Sequence, residues 1–366
     1  MGKIEKLINE RRMPDALLMN NGKRAATPEE FLARREEIKE ILAEREYGVI
    51  PPAPKKMKVE ITERDDIFCA GKAPLEKLLF TFEDESGKEY SFPAYAVVPA
   101  GKTNIPAFVH INFRSAVPDK YMLSEEIADR GYATFSFCYQ DVAKDSDDFR
   151  SGIAPFLGGK RKRKNSPGKI AMWAWAAMRM MDYIMTREEI DKDNVAVIGH
   201  SRLGKTALVA GGYDERFKYI ISNDSGCSGA AISRGKGGES VKRINEVFPF
   251  WFAKRYNENA DNFEECGFDQ NFLLTLSVPR HIMIGSAEED LWADPISEFL
   301  NLASMKEAYS IFGKRGLVHK NRIPTAKAFL GEGDALYQIR HGMHYFSRED
   351  WSAYMDYIDS VRAKKV

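Results

Sequence analysis

The sequence predicts an α/β fold: a mostly parallel central sheet with antiparallel strands at its N-terminal edge and helices on both faces, three layers in all. Three observations carry this. Between residues 58 and 113, alternating or apolar runs follow one another, separated by turn residues. From about residue 170, short apolar runs alternate with helical periods. The last strong pattern, Trp351 to Val361, is a closing helix. Strand–helix alternation implies right-handed crossovers and parallel strands covered on both sides.

Each element has a local reason. Thr27-Pro28-Glu29-Glu30 opens a helix, with Thr27 as cap, Pro28 at the first helical position and Glu30 completing a capping box. Phe31, Ile38 and Leu42 recur at helical spacing, and Gly48 with Pro51-Pro52 marks the stop. Strands are expected over Lys58–Thr62, Leu78–Glu83, Tyr90–Val98 and Ala107–Phe113, with turns at 84–88 and 99–101. A helix over Leu123–Arg130 and a strand over Ala133–Cys138 follow. Then come a helix over Ile170–Met185, a buried strand over Val195–Ile198 and a helix over Leu203–Gly211. Buried strands at Tyr219–Ser222 and His281–Ile284, a helix over Glu298–Phe312 and a strand over Ala326–Leu330 complete the series. The early strands are expected at one edge of the same sheet. No repeat or Pro/Gly/Ser-rich linker divides the chain, so one unit is expected over residues 1–366, with 1–55 a helical extension packed on it.

Composition excludes classes without naming an activity. The 366 residues carry 54 Lys+Arg against 54 Asp+Glu, a net charge of zero, with 44% apolar and 30% charged residues. That is a soluble globular profile. A balanced chain lacks the basic face a dedicated nucleic-acid binder needs to displace counterions. Cys69, Cys138, Cys227 and Cys266 are too scattered for a disulfide framework or a CxxC zinc site. The longest apolar run, Ile170–Met185, holds Arg179 and Asp182, and no membrane span is expected. Residues 1–6 alternate charge and do not read as a secretory signal, and Lys6 stands where myristoylation wants Ser or Thr. A cytoplasmic location is expected, the alternative being a secreted protein whose signal has been removed.

The chemistry concentrates in Val195-Ala196-Val197-Ile198-Gly199-His200-Ser201-Arg202-Leu203-Gly204-Lys205-Thr206. This strand–turn–helix matches G-x-x-x-x-G-K-[ST], in which backbone amides cradle phosphates, Lys205 reaches them, Thr206 holds magnesium and Asp224 serves as a metal-binding acid. It also reads as a nucleophile elbow, a serine on a sharp strand-to-helix turn whose helix N-terminus favours an oxyanion. The elbow pattern is G-x-S-x-G, and here Leu203 takes the second small position, with Gly204 one residue late. Locally the two readings are even. Position separates them: a phosphate loop follows the first strand of its domain, whereas this one lies past mid-chain. An esterase needs an acid and then a histidine after the serine. Asp224 and Asp290 each follow an apolar strand, and His344 lies in Arg340-His341-Gly342-Met343-His344, after the strand ending at Leu330 and before the closing helix. The order Ser, Asp, His is that of α/β-hydrolases.

Gly199-His200-Ser201-Arg202-Leu203-Gly204-Lys205 is similar to the G-C-S-R-x-G-K elbow of the glucuronoyl esterases, carbohydrate esterase family 15. Asn223-Asp224-Ser225-Gly226 resembles that family's acid segment. The stretch from Ala287 to Pro295 resembles its later acid-and-tryptophan segment, and Gly342-Met343-His344 its histidine loop. The resemblance runs from about Met13 to the C-terminus and includes Arg34-Arg35-Glu36 and Tyr47-Gly48-Val49-Ile50-Pro51. It implies Ser201 as nucleophile, His344 as general base and Arg202 as a cation at the oxyanion. It further implies Lys205, Glu239 and Trp292 as sugar contacts. It allows the acid at Asp224, at Asp290 or at both; Asp290 is expected as the main partner of His344, with Asp224, whose side chain is shorter than the Glu common there, as a second. Where secreted fungal members often carry a bridged Cys beside the nucleophile, this chain has His200, which fits a reducing compartment.

The resemblance implies metal-independent hydrolysis, with no cofactor, of esters joining 4-O-methylglucuronic acid on xylan to a lignin-type alcohol. The expected partner is a carbohydrate ester, not a membrane or nucleic acid, and the oligomeric state is left open. A deacetylase acting on acetylated xylan is the alternative within the class. A phosphate-loop NTPase and a catalytically silent sugar-binding hydrolase fold are alternatives outside it. Other residues have plainer readings. His200 packs the elbow, and His110, His281 and His319 are structural. His341 is the decoy for His344. Trp173 and Trp175 are core. Glu288 and Glu289 form a solvated rim, and Asp294 caps a turn. Lys160-Arg161-Lys162-Arg163-Lys164 is a solvated loop.

Overall fold

The structure, a computed structural model, describes residues 2–159, 161–258 and 260–364. Ten strands form one sheet: β1 (Met57–Asp65), β2 (Leu75–Glu83), β3 (Glu89–Val97), β4 (Ile105–Asn112), β5 (Ala133–Cys138), β6 (Ile190–His200), β7 (Tyr219–Asn223), β8 (His281–Ala287), β9 (Ala328–Leu330) and β10 (Leu336–Arg340). Their spatial order is β1-β2-β3-β5-β4-β6-β7-β8-β10-β9. The six central strands from β5 to β10 in that order run parallel. β1, β2 and β3 are antiparallel and join the block through an antiparallel β3–β5 pair.

Side-chain alternation divides the parallel strands between two cores. Val195 and Val197 of β6, Ile220 of β7, and Ile282 and Ile284 of β8 enter one. Ala196, Ile198, Tyr219, Ile221 and Met283 enter the other. A period of two, apolar on both faces, is what a strand covered on both sides requires. The first core is roofed by the helices Lys169–Ile184 and Arg202–Tyr213, with Trp173 and Trp175 fully buried in it. The second lies under the closing helix Arg348–Ala363, through Trp351, Tyr354, Tyr357 and Ile358.

The helix Pro28–Arg45 starts at the expected capping box: Thr27 Oγ1 accepts from the Glu30 amide at 3.3 Å and Glu30 Oε2 from the Thr27 amide at 3.3 Å. Phe31, Ile38 and Leu42 are buried in the first core. Arg34 is buried too, its Nε donating to the Ala16 carbonyl at 2.9 Å while Nη1 pairs with Glu37. The N-terminal segment is thereby tied to the helix by its polar side chains as well as by packing.

Three expectations need correction. Ala107–Phe113 is not an edge strand: β4 lies inside the sheet, parallel to β5 and β6, and all eight of its residues are buried. The Glu298–Phe312 helix is two helices, Pro295–Ser304 and Lys306–Ser310; the first begins early because Asp294 caps it, accepting from the Ser297 amide at 3.0 Å with Pro295 at its first position. The strand leading to the histidine loop is β10, not the Ala326–Leu330 run, of which only Ala328–Leu330 pairs, antiparallel to β10 at the edge. Among the described residues no helix is long and apolar enough to cross a membrane.

Candidate active site

β6 ends at His200 and the next helix starts at Arg202, so the whole turn is Ser201. Its backbone, φ 58° and ψ −128°, is one a non-glycine residue adopts only when its surroundings force it. Here they do: the Ser201 amide donates to the Asn223 carbonyl at 2.8 Å, and the Ser201 carbonyl accepts from the Gly204 amide at 2.9 Å. The displaced glycine pattern has a steric cause. A Cβ on Gly199 would lie 2.1 Å from the Leu203 carbonyl oxygen, and one on Gly204 would lie 2.9 Å from Ser222 Oγ. Close approach falls at Gly204, while Leu203 points into the core and is free to be large.

The histidine is brought to this turn by backbone pairing. The amides of Glu288 and Glu289, after β8, donate to the carbonyls of Arg340, at the end of β10, and Gly342, just beyond it, at 2.9 and 3.1 Å. That tie sets Asp290 Oδ2 2.6 Å from His344 Nδ1. Burial alone would raise the Asp290 carboxyl, but the hydrogen bond and charge of His344 outweigh it and hold the carboxyl below its usual range. The His344 ring lies 4.4 Å, centroid to centroid, from the ring of His200, the residue preceding Ser201.

Asp224 is differently placed. It is 1% exposed, its Oδ1 accepts from the Ala287 amide at 2.7 Å, and its buried Oδ2 has no hydrogen-bond partner. Burial, reinforced by Glu298, Asp350 and Asp290, pushes this carboxyl well above its usual range. Glu298, also buried, accepts from the Gly226 amide and Ser286 Oγ and is raised to about 7 by burial. Asp224, Asp290 and His344 offer ligand-type atoms within 4.8 Å of one another. A cation there would displace the Asp290–His344 hydrogen bond and face Arg340 Nη2, 3.5 Å from Asp224 Oδ2. That charge pattern does not fit a metal.

Arg202 is clamped. Its Nη1 pairs with Asp145 Oδ2, and its guanidinium lies 4.7 Å over the Trp251 ring and 5.3 Å over Phe248. Asp145 also accepts from Trp251 Nε1 at 2.7 Å and from the Tyr139 hydroxyl at 2.9 Å. Lys205, 4% exposed, donates from Nζ to the Ser225 carbonyl, and burial lowers its ammonium pKa. The charge of Glu239 acts in the opposite sense on that ammonium, and the Glu239 amide donates to the Trp292 carbonyl at 3.1 Å. Trp292 is 55% exposed, a bare ring two residues past Asp290. A backbone bond thus ties Glu239 to Trp292, and Glu239 reaches Lys205 through its charge.

Other candidates fall elsewhere. His341 is at the surface, 3.3 Å from Glu288. His110 and His281 are buried and His319 partly so. Of the basic run, Lys160 lies outside the described residues. Arg161 donates to the Phe252 carbonyl at 2.6 Å, Lys164 pairs with Glu258, and Lys162 and Arg163 are exposed. Sequence reasoning missed Asp145, which sits in an acidic loop without a distinguishing pattern. It also quoted Arg340 without giving it a role. Arg340 pairs with Asp350 at 2.8 Å and donates to the carbonyls of His341, Met343 and Tyr345, pinning the loop that carries His344.

Comparison with known proteins fits this geometry. Residues 83–313 match the family described as glucuronyl esterase of fungi. A carbohydrate esterase, MZ0003, from an unknown prokaryotic organism is 30% identical over 95% of this chain and 89% of its own. The chain belongs to the glucuronoyl esterase family. The solved glucuronoyl esterase from Solibacter usitatus superposes with a TM-score of 0.87 at 30% identity, covering 95% of this chain and 97% of that one. The 4-O-methyl-glucuronoyl methylesterase of Thermothelomyces thermophilus is 24% identical over 84% of this chain and 74% of its own. The protein is a carboxylic ester hydrolase with the α/β-hydrolase fold of carbohydrate esterase family 15. The glucuronoyl esterase assignment leaves no place for a phosphate loop, and the turn explains why. A single residue between strand and helix supplies no wrap of amides, and Thr206 Oγ1 is taken by the Arg202 carbonyl at 3.0 Å.

Proposed function

We propose that the protein hydrolyses 4-O-methyl-glucuronoyl esters through a seryl acyl-enzyme. The observation that carries this is a buried carboxylate, Asp290, holding the imidazole of His344 against the ring of His200, the residue that precedes a serine on a strained strand-to-helix turn. Asp290 fixes the proton on His344 Nδ1, which leaves Nε2 as the base. Ser201 Oγ gives its proton to Nε2 and bonds the ester carbon; the carbonyl oxygen takes the charge. The helix N-terminus and the Arg202 guanidinium face that charge. Collapse breaks the bond to the alcohol, which leaves with the proton from His344, and water repeats the sequence to release the uronic acid.

Arg202 works only if its guanidinium stays put, and Asp145 is what keeps it there. Asp145→Asn is expected to lower kcat by roughly 10- to 100-fold with KM little changed, the scale of one hydrogen bond to a charged group. Steady-state kinetics on a glucuronoyl ester measure this; an unchanged kcat would show that the clamp does not matter.

The sugar is assigned to the acyl side, with the Lys205 ammonium and Glu239 carboxylate meeting hydroxyls and Trp292 offering an apolar face and an N–H. Lys205→Met, Glu239→Ala and Trp292→Ala are each expected to cut kcat/KM for a benzyl glucuronoyl ester by about 10-fold or more, on the same hydrogen-bond scale, while sparing an aryl acetate. Equal losses on both substrates would remove the glucuronoyl assignment and favour an acetyl esterase.

A further inference from the structure

His200 is buried at the end of β6 and is held from several directions. Its Nδ1 is 2.7 Å from Asn223 Oδ1, and Asn223 Nδ2 in turn donates to the Tyr354 hydroxyl at 3.1 Å. An amide oxygen accepts, so the proton of His200 sits on Nδ1. The ring packs against Phe346 at 5.9 Å, with 9° between planes, and against Tyr121 at 6.1 Å, with 28°. Phe113 meets it edge-on at 6.2 Å, and the remaining ring against it is His344 itself, at 4.4 Å and 37°. Nothing in the chemistry above uses His200, yet it is the one aromatic ring in contact with the base among the described residues.

We propose that His200 is a positioning residue: its imidazole is a fixed shelf that sets the plane of the His344 ring, so that Nε2 faces Ser201. Asp290 alone cannot do this. A single hydrogen bond at Nδ1 restrains the ring at one edge but leaves it some tilt about its side-chain torsions, and with His344 44% exposed, packing on the solvent side does not remove that tilt. A planar neighbour removes that freedom. The shelf must also be uncharged, since a second cation would oppose the imidazolium formed during reaction. Burial, and then the charge of His344, push the His200 ring down to about 3, so it stays neutral at any working pH. It is no reserve base either, since Nδ1 is committed to Asn223.

This inference rests on His344 being the general base, and the two are separable. His344→Ala tests the base: activity retained there would end the mechanism and the inference with it. With that dependence established, His200→Leu and His200→Phe are compared on a glucuronoyl ester. Leu fills the space without a flat face and is expected to lower kcat roughly 100-fold with KM within about two-fold, the scale of a misplaced catalytic group. Phe restores the flat face without the hydrogen bond and is expected to recover most of the loss, although both variants lose the Asn223 contact. Thermal melts of the two confirm folding. Full kcat in the Leu variant, or equal losses in both, would overturn the proposal.

Discussion

Ser201→Ala is expected to lower kcat by about a million-fold, the scale of removing a catalytic serine, with KM nearly unchanged. The size follows from cooperation. Without Oγ, His344 has no serine proton to take and Asp290 no imidazolium to stabilise, and only the helix N-terminus and Arg202 remain to act on water. The fold should survive, because the hydrogen bonds that hold the turn are made by the Ser201 backbone and not its side chain. Rates on a glucuronoyl ester measure it, with circular dichroism as the control. Activity within about 100-fold of the parent would mean that the nucleophile lies elsewhere.

The second large effect separates the two acids. Asp290→Asn is expected to lower kcat by about ten-thousand-fold, because an amide at that position favours the wrong tautomer of the histidine. Asp224→Asn should stay within a few-fold of the parent at pH 7. Burial, reinforced by Glu298, Asp350 and Asp290, holds the Asp224 carboxyl well above its ordinary range, which favours the uncharged acid, and an amide imitates that form. The pH dependence differs in sign. Asp290, held low, loses its charge only as pH falls through its depressed value, and the stability it lends fades in acid. Asp224, held high, lends stability that is full below the ordinary carboxylate range and is lost as pH rises from there through its raised value. Asp224→Asn should therefore flatten that fall of stability with rising pH, read as denaturant midpoints across pH. The reverse ranking of the two variants in kcat would exchange their roles.

Much of this was legible along the chain because its causes are local. The capping box at Thr27 and Glu30, the apolar run of β6, and the strand–serine–helix turn each depend on neighbours a few residues apart. Asp224 and Asp290 were both visible as acids at strand ends. Their difference was not, because it depends on how far each is buried and which partner its oxygens meet. β10 was missed for a related reason. Leu336-Tyr337-Gln338-Ile339-Arg340 is fully buried, yet it carries Gln338 and Arg340, both satisfied by Asp350 ten or more residues later. A buried strand holding an arginine looks like a loop until its partner is known. Asp145 shows the same limit: it lies 57 residues from Arg202 in sequence and is joined to it only in the folded chain.

The most direct measurement is covalent trapping. A fluorophosphonate transfers its phosphonyl group to an activated serine with loss of fluoride, and peptide mass spectrometry locates the adduct. The expected result is one adduct per chain, on Ser201, formed rapidly in the parent, strongly slowed in Asp290→Asn and absent in Ser201→Ala. A parent chain that takes no label on Ser201, or takes it on another residue, would contradict the assignment of Ser201 as the nucleophile.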